Sequence, residues 1–218
     1  MSNKISLGAL CLLFAIGGCS TALGADALTL AQARRAIDAS APEARLAGVE
    51  RLGEIGTAAD ANRLVARLAD GDDSVRASSV DAMWRIWSRS GDRAIDALFR
   101  RGLEQMQSAH LDDALATFTE VIRRKPQFAE GWNKRATIHY LLGRHAESLK
   151  DCAEVIKRNP IHFGALSGYA QIYIALGDPE RALEYYERAL KVNPNLPNAA
   201  EAIGILEDQV AAKRRNTI

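Results

Sequence analysis

The sequence predicts an all-α chain built of stacked helix pairs, and three observations predict it. Pro126, Pro160 and Pro194 fall 34 residues apart, a period typical of repeated two-helix units. Between them, large and small apolar positions recur in one register. Each copy also has a turn signal at its middle, Gly143 and Gly177 in the later two and Ala109 in the first. A stack of this kind buries each pair against the next, so it needs no central core and behaves as one elongated domain.

Residues 1–24 are of a different kind. MSNK supplies a short positive start, and Ile5 to Ile16 is a mostly apolar run. That run is too short to span a bilayer but fits a secretory signal. Two exits from it compete. Ile16-Gly17-Gly18-Cys19 resembles a bacterial lipobox, whose cleavage would leave Cys19 as a lipidated N-terminus. Ala22-Leu23-Gly24 instead offers the small residues that ordinary signal cleavage needs. The first exit predicts a lipoprotein tethered to a membrane, with Ser20 pointing to the outer one. The second predicts a soluble periplasmic protein. No other stretch approaches 18 apolar residues.

Residues 27–90 form the next region. Within it, PEARLAGVERLGEIG aligns with DSVRASSVDAMWRIW at a spacing of 31, pairing Arg45 with Arg76, Val49 with Val80 and Ile55 with Ile86. Between them, ADANRLVARLAD predicts an amphipathic helix through Leu64, Val65 and Leu68. The pattern resembles the short HEAT-like repeat of phycobilin-lyase-type proteins. The alternative is a pair of unrelated capping helices. On either reading the region is helical and is expected to continue the same superhelix as the three copies after it. Asp72 and Asp73 read as helix caps, and Trp84 and Trp87, three apart on a helix, as core.

Residues 91–194 hold three copies, starting at Ile95, Ala129 and Phe163. Their fourth positions are bulky (Leu98, Trp132, Leu166) and their eighth small (Gly102, Ala136, Ala170). The second helix has small residues at Ala114, Ser148 and Ala182, followed four later by Phe118, Cys152 and Tyr186. Proline closes each copy because it cannot donate the bond that would continue the helix. These positions resemble the tetratricopeptide repeat (TPR), with departures at Arg101, Gln105, Arg135 and His139.

That resemblance implies a right-handed helical-repeat solenoid whose first helices line a concave groove for a peptide or partner helix. In register, the groove positions are Phe99, Asn133 and Ser167; Leu103, Thr137 and Gln171; and Met106, Tyr140 and Ile174. Asn133, Thr137, Tyr140, Ser167, Gln171, Ile174, Phe99 and Met106 are the candidate binding residues. Phe99, Leu103 and Met106 have an alternative, packing on the helices before them. Asn133 and Lys134 alone suggest the carboxylate-binding version of this fold, too little to carry that function over. Trp132 is expected to be buried.

Residues 195–218 close the stack. Asn198 and Glu201 resemble a capping box, and Ala199, Ile203, Leu206 and Val210 make one apolar stripe on a helix ending in Lys213, Arg214 and Arg215. A polar outer face suits a terminal cap.

The chain has 28 Lys and Arg against 27 Asp and Glu; loss of Lys4 with the signal leaves 27 of each. Neutrality argues against nucleic acid as a partner. Of three cysteines, Cys152 alone would remain unmodified, at a packing position. His110, His139, His145 and His162 include no metal-binding i,i+4 pair, and no phosphate-cradling glycine loop occurs. The expectation is a non-enzymatic adaptor of the bacterial cell envelope, without metal or cofactor, binding a protein or peptide in the TPR groove. The alternatives are a glycan or peptidoglycan binder, which needs exposed aromatics, and a self-assembling or homodimeric structural protein.

Overall fold

The computed structural model describes residues 27–215. The signal segment, Cys11, Cys19 and both cleavage sites lie outside the described residues. Every described element is helical. The first four are α1 (Leu30–Ala36), α2 (Pro42–Ile55), α3 (Ala58–Leu64) and α4 (Asp73–Trp87), with a 3-10 segment, Val65–Ala69, extending α3. Three repeat pairs come next: α5 (Arg93–Gln107) with α6 (Leu111–Arg124), α7 (Ala129–Leu141) with α8 (His145–Arg158), and α9 (Phe163–Ala175) with α10 (Pro179–Val192). The last helix, α11 (Ala199–Arg215), packs on α10.

Local chemistry sets the starts of α1, α3 and α4. Thr29 with Gln32, and Thr57 with Asp60, form reciprocal capping boxes on α1 and α3. Asp72 caps α4 by accepting from the backbone N–H groups of Ser74 and Val75. The two arginines that the 31-residue spacing pairs converge on one residue. Arg45 grips the Asp70 carboxylate with two nitrogens, at 2.8 and 2.6 Å, and Arg76 donates to the Asp70 carbonyl at 2.6 Å. Val49, Leu52, Leu64, Leu68, Val75 and Met83 fill the interior between these helices.

In the repeats, Ala109, Gly143 and Gly177 occupy the same turn position with φ of 56°, 69° and 72°. Glycine adopts that left-handed conformation freely, whereas Ala109 bears a steric cost of about 1–2 kcal/mol. The departures from the TPR pattern also fall together. In the first pair Gln105 accepts from Thr117 at 2.7 Å. In the second, Arg135 holds Asp151 through two 2.7 Å bonds, with His139 beside them. In the third, the equivalent Tyr169, Tyr173 and Tyr185 stack on one another, Tyr169 and Tyr185 at 4.2 Å between centroids. One inter-helix seam is thus built from three chemistries. Trp132 is half-buried rather than buried. Its Nε1 donates to the Pro126 carbonyl, and the guanidiniums of Arg135 and Arg158 lie over its ring.

Contrary to expectation, the N-terminal helices do not extend the superhelix end to end. They lie along the edge formed by the loops between repeats, which are the loops marked by Pro126, Pro160 and Pro194. Lys125 in the first loop donates to the Ser90 carbonyl. His162 and Phe163 at the second meet Trp84 and Trp87, with the Trp87 and His162 rings stacked at 4.5 Å. Asn195 in the third donates to the Leu68 carbonyl, and Val192 and Leu196 pack on the same apolar cluster. The cause is the indole pair on α4. Its apolar face needs cover, and Ile161, Phe163, Val192 and Leu196 supply it.

Of the α11 stripe, Ala199, Leu206 and Val210 are buried and Ile203 is half-buried. Asn198 departs from expectation, because its φ of 61° is not the extended conformation of an N-cap. Lys213 instead ties the end of α11 to Glu180 at 2.8 Å.

Candidate functional site: a groove between α7 and α9

The first helices α7 and α9 run side by side and leave a channel of about 70 Å³ between them. Asn133, Ala136, Thr137 and Tyr140 line one wall, Gly164, Ala165, Gly168 and Gln171 the other, and Ser148 and Cys152 of α8 form the floor. The channel exists because α9 presents glycine where a side chain would close it. A Cβ placed on Gly168 would meet nothing nearer than the Cys152 sulfur, at 4.0 Å. At Gly164 the same atom would lie 2.5 Å from the Trp84 ring. Trp84 of α4 therefore stands at the Gly164 end of the groove.

Four candidate residues, Asn133, Thr137, Tyr140 and Gln171, come together in this channel. Ser167 bonds back to the Phe163 carbonyl at 2.9 Å, and Ile174 lies exposed toward the end of α9; neither lines the channel. Phe99 and Met106 do not belong to a groove. Phe99 is 3% exposed, packed edge-on against Phe118 and Phe128 of its own repeats, and Met106 packs on the same cluster. Phe99 fills the repeat's interior and the half-buried Met106 packs against it, rather than either filling a gap beneath the N-terminal helices.

At the α4 end of the channel sits a buried polar cluster. The Glu130 carboxylate receives Asn133 Nδ2 at 3.1 Å from both oxygens, Lys134 Nζ at 2.9 Å and His162 Nε2 at 2.9 Å. Burial pushes the Glu130 carboxyl up, but His162 and Lys134 outweigh it and hold it below the usual carboxylate range. Lys134 also lies over the Trp84 ring, 5.4 Å from its centre. Beneath the channel, burial pushes the Cys152 thiol up to about 12, which leaves it an inert packing group at neutral pH.

Two family models, both for the tetratricopeptide repeat, match residues 99–160 and 163–196. A TPR repeat-containing protein of Rhizobium etli is 32% identical over 154 residues, covering 70% of this chain and 76% of its own length. This chain belongs to the tetratricopeptide-repeat family. An Hsp70-Hsp90 organizing protein of Triticum aestivum is 26% identical over 118 residues, 54% of this chain; the chain spans only 20% of that relative.

Solved TPR structures share the fold. The first TPR domain of Spaghetti (RPAP3), bound to the HSP90 peptide SRMEEVD, superposes with a TM-score of 0.52 at 23% identity, covering 54% of this chain and 93% of that domain. MamA superposes with a TM-score of 0.52 at 16% identity over 65% of this chain and 84% of its own. TPR repeats of this kind are interaction modules, and the RPAP3 domain holds its peptide as such a module. Glu130, His162 and Trp84 were not candidates in the sequence. Glu130 and His162 lie 32 residues apart and Trp84 outside the repeat, so no local pattern joins them.

Proposed function

We propose that this TPR protein is a non-enzymatic adaptor that holds a neutral peptide or partner helix in the groove between α7 and α9. The observation that carries the reading is the glycine-opened channel, lined by the uncharged polar groups of Thr137, Tyr140 and Gln171. Anchors of this kind give a client burial plus orienting hydrogen bonds. The groups beside it that could grip a carboxylate are already engaged, because the Asn133 amide and the Lys134 ammonium hold the chain's own Glu130. An acidic segment such as SRMEEVD would have to displace that carboxylate, so a neutral client fits the groove better.

The first 24 residues support export to the bacterial cell envelope, with Cys19 as lipid anchor and the periplasmic face of the outer membrane as destination. In that setting the HEAT-like N-terminal helices brace the three repeat loops, with Trp84 bounding one end of the client's groove. A glycan-binding role has less support, because two guanidiniums cover the Trp132 ring on which a sugar would stack.

The test is a photo-crosslinking residue at Tyr140 in living cells, with captured species identified by mass spectrometry. A discrete protein adduct that disappears when Gly168→Leu fills the channel supports the groove. An intact, correctly located protein that yields no adduct overturns it. Incorporation of an alkyne-labelled fatty acid, abolished by Cys19→Ser, separately tests the anchor.

A further inference from the structure

A larger cavity, of about 730 Å³, lies where the N-terminal helices meet the repeat loops without filling the space between them. Its volume falls within the range of small-molecule sites, roughly 300–1,000 Å³, and such sites favour the junction of two units. Ile86, Trp87 and Phe128 give it an apolar floor, and Thr57, Asn62 and Gln127 contribute polar groups. It shares no lining residue with the α7–α9 groove.

The charges around it are unbalanced. Arg89, Lys125 and Arg158 line the cavity against Asp96; just outside the lining, Asp92 acts on Lys125 and the cation Arg85 on Arg89. Arg158 is neutralised by Glu154, and one Asp96 oxygen accepts the Ser90 backbone N–H at 2.7 Å. The Arg89 guanidinium donates to the carbonyls of Gly53 and Gly56, at 2.6 and 2.8 Å, and the Lys125 ammonium to the carbonyl of Ser90. Arg89 and Lys125 form no ion pair with a carboxylate among the described residues. Two cations held by neutral carbonyls beside an aromatic floor make a place where negative charge is favoured. One comes from the N-terminal helices and the other from the repeat array.

We infer that this cleft binds a small organic anion, its carboxylate or phosphate between Arg89 and Lys125 and its apolar body over Trp87 and Phe128. A ligand seated there touches both units, so it stabilises the arrangement in which α4 lies against the repeat loops. The charged group supplies orientation and the aromatic floor supplies burial. An inorganic ion therefore binds more weakly than an anion that carries a ring.

The experiment is calorimetric titration of the purified full chain with phenyl phosphate, benzoate, inorganic phosphate and benzyl alcohol. The expected result is one saturable site per chain for phenyl phosphate or benzoate, with a rise in melting temperature. Inorganic phosphate should bind at least tenfold more weakly, and benzyl alcohol should show no saturable binding. The stronger of the first two probes tells whether the site prefers phosphate or carboxylate. Arg89→Met and Lys125→Met should each weaken binding tenfold or more, while Lys157→Met, an exposed cation outside the cleft, should leave it unchanged. Lys125→Arg keeps the charge and should retain binding, which keeps the result readable if Lys125→Met disturbs the fold. Absence of saturable binding by both ring-bearing anions, or equal affinity in wild type and Lys125→Met, would overturn the inference.

Discussion

His162 Nε2 lies 2.9 Å from a Glu130 carboxylate oxygen, and neither side chain has any exposure to water. The other ring nitrogen, Nδ1, accepts the Ala165 backbone N–H at 3.0 Å and so carries no proton itself. Nε2 is then the nitrogen that donates to Glu130. One histidine both caps α9 and satisfies a buried carboxylate on α7, while its ring stacks on Trp87 of α4. Three parts of the fold meet in this residue.

Replacing Glu130 by Ala would leave Lys134, Asn133 and His162 facing a void. Removing one partner of a buried ionic cluster costs about 3–5 kcal/mol. Urea unfolding of Glu130→Ala should show a loss of that order, with Glu130→Gln milder because it retains hydrogen bonding. A loss below about 1 kcal/mol for the alanine variant would mean that the cluster contributes little to stability.

Gly164 and Gly168 stand one helical turn apart on α9, and alanine should act on them in opposite directions. At Gly168 the added methyl fits, so Gly168→Ala should stabilise the chain by about 0.5–1 kcal/mol through the better helix propensity of alanine. At Gly164 it would press on a Trp84 ring already enclosed by Trp87, His162 and Phe163. Overpacking of that kind costs about 1–3 kcal/mol. Gly164→Ala should therefore be destabilised and show altered tryptophan fluorescence. Two variants with the same melting temperature would contradict the docking of α4 on this edge.

The features legible in the sequence are those set by local spacing. The 34-residue period places the three inter-repeat loops and the six helices from Arg93 to Val192, because packing of each pair repeats the same residue sizes. Asn133, Thr137, Tyr140 and Gln171 also come from register alone. Phe99 occupies the same register position as Asn133 and both are buried, Phe99 against Phe118 and Phe128 and Asn133 on the Glu130 carboxylate, so register alone does not separate a groove wall from the interior. The folding back of α1–α4 was not legible. It rests on Trp84 and Trp87 meeting His162 and Phe163, a contact between distant segments that no periodicity announces. Trp132 escaped burial because two arginines, which the family pattern does not call for, supply its cover.

Acid should loosen the N-terminal helices. The Arg34 guanidinium beside Asp60, at 2.6 and 3.0 Å, outweighs burial and lowers the Asp60 carboxyl to about 2. Its folded value lies below the ordinary 3.8, so the unfolded chain takes up the proton first as pH falls. The stabilisation is complete above roughly pH 4 and fades as pH approaches 2. Glu130 acts in the same direction. Melting temperatures between pH 5 and pH 2 should therefore drop less steeply for Asp60→Asn than for wild type. Parallel curves would show that Asp60 is not a source of the acid sensitivity.

Cys152 gives a chemical probe of the groove floor. Its side chain is 3% exposed, and burial raises its thiol to about 12, so at neutral pH almost none of it is the reactive thiolate. In a chain with Cys11 and Cys19 replaced by serine, Cys152 should resist iodoacetamide while folded and react fully in urea. The native rate should be at least a hundredfold below that of an unhindered cysteine. Because Cys152 lies under the channel, an occupant seated between α7 and α9 should slow the residual reaction further. Opening that wall with Tyr140→Ala should speed it. Rapid native alkylation would show that α7, α8 and α9 part often enough to expose the floor, and the channel would then not be a preformed site.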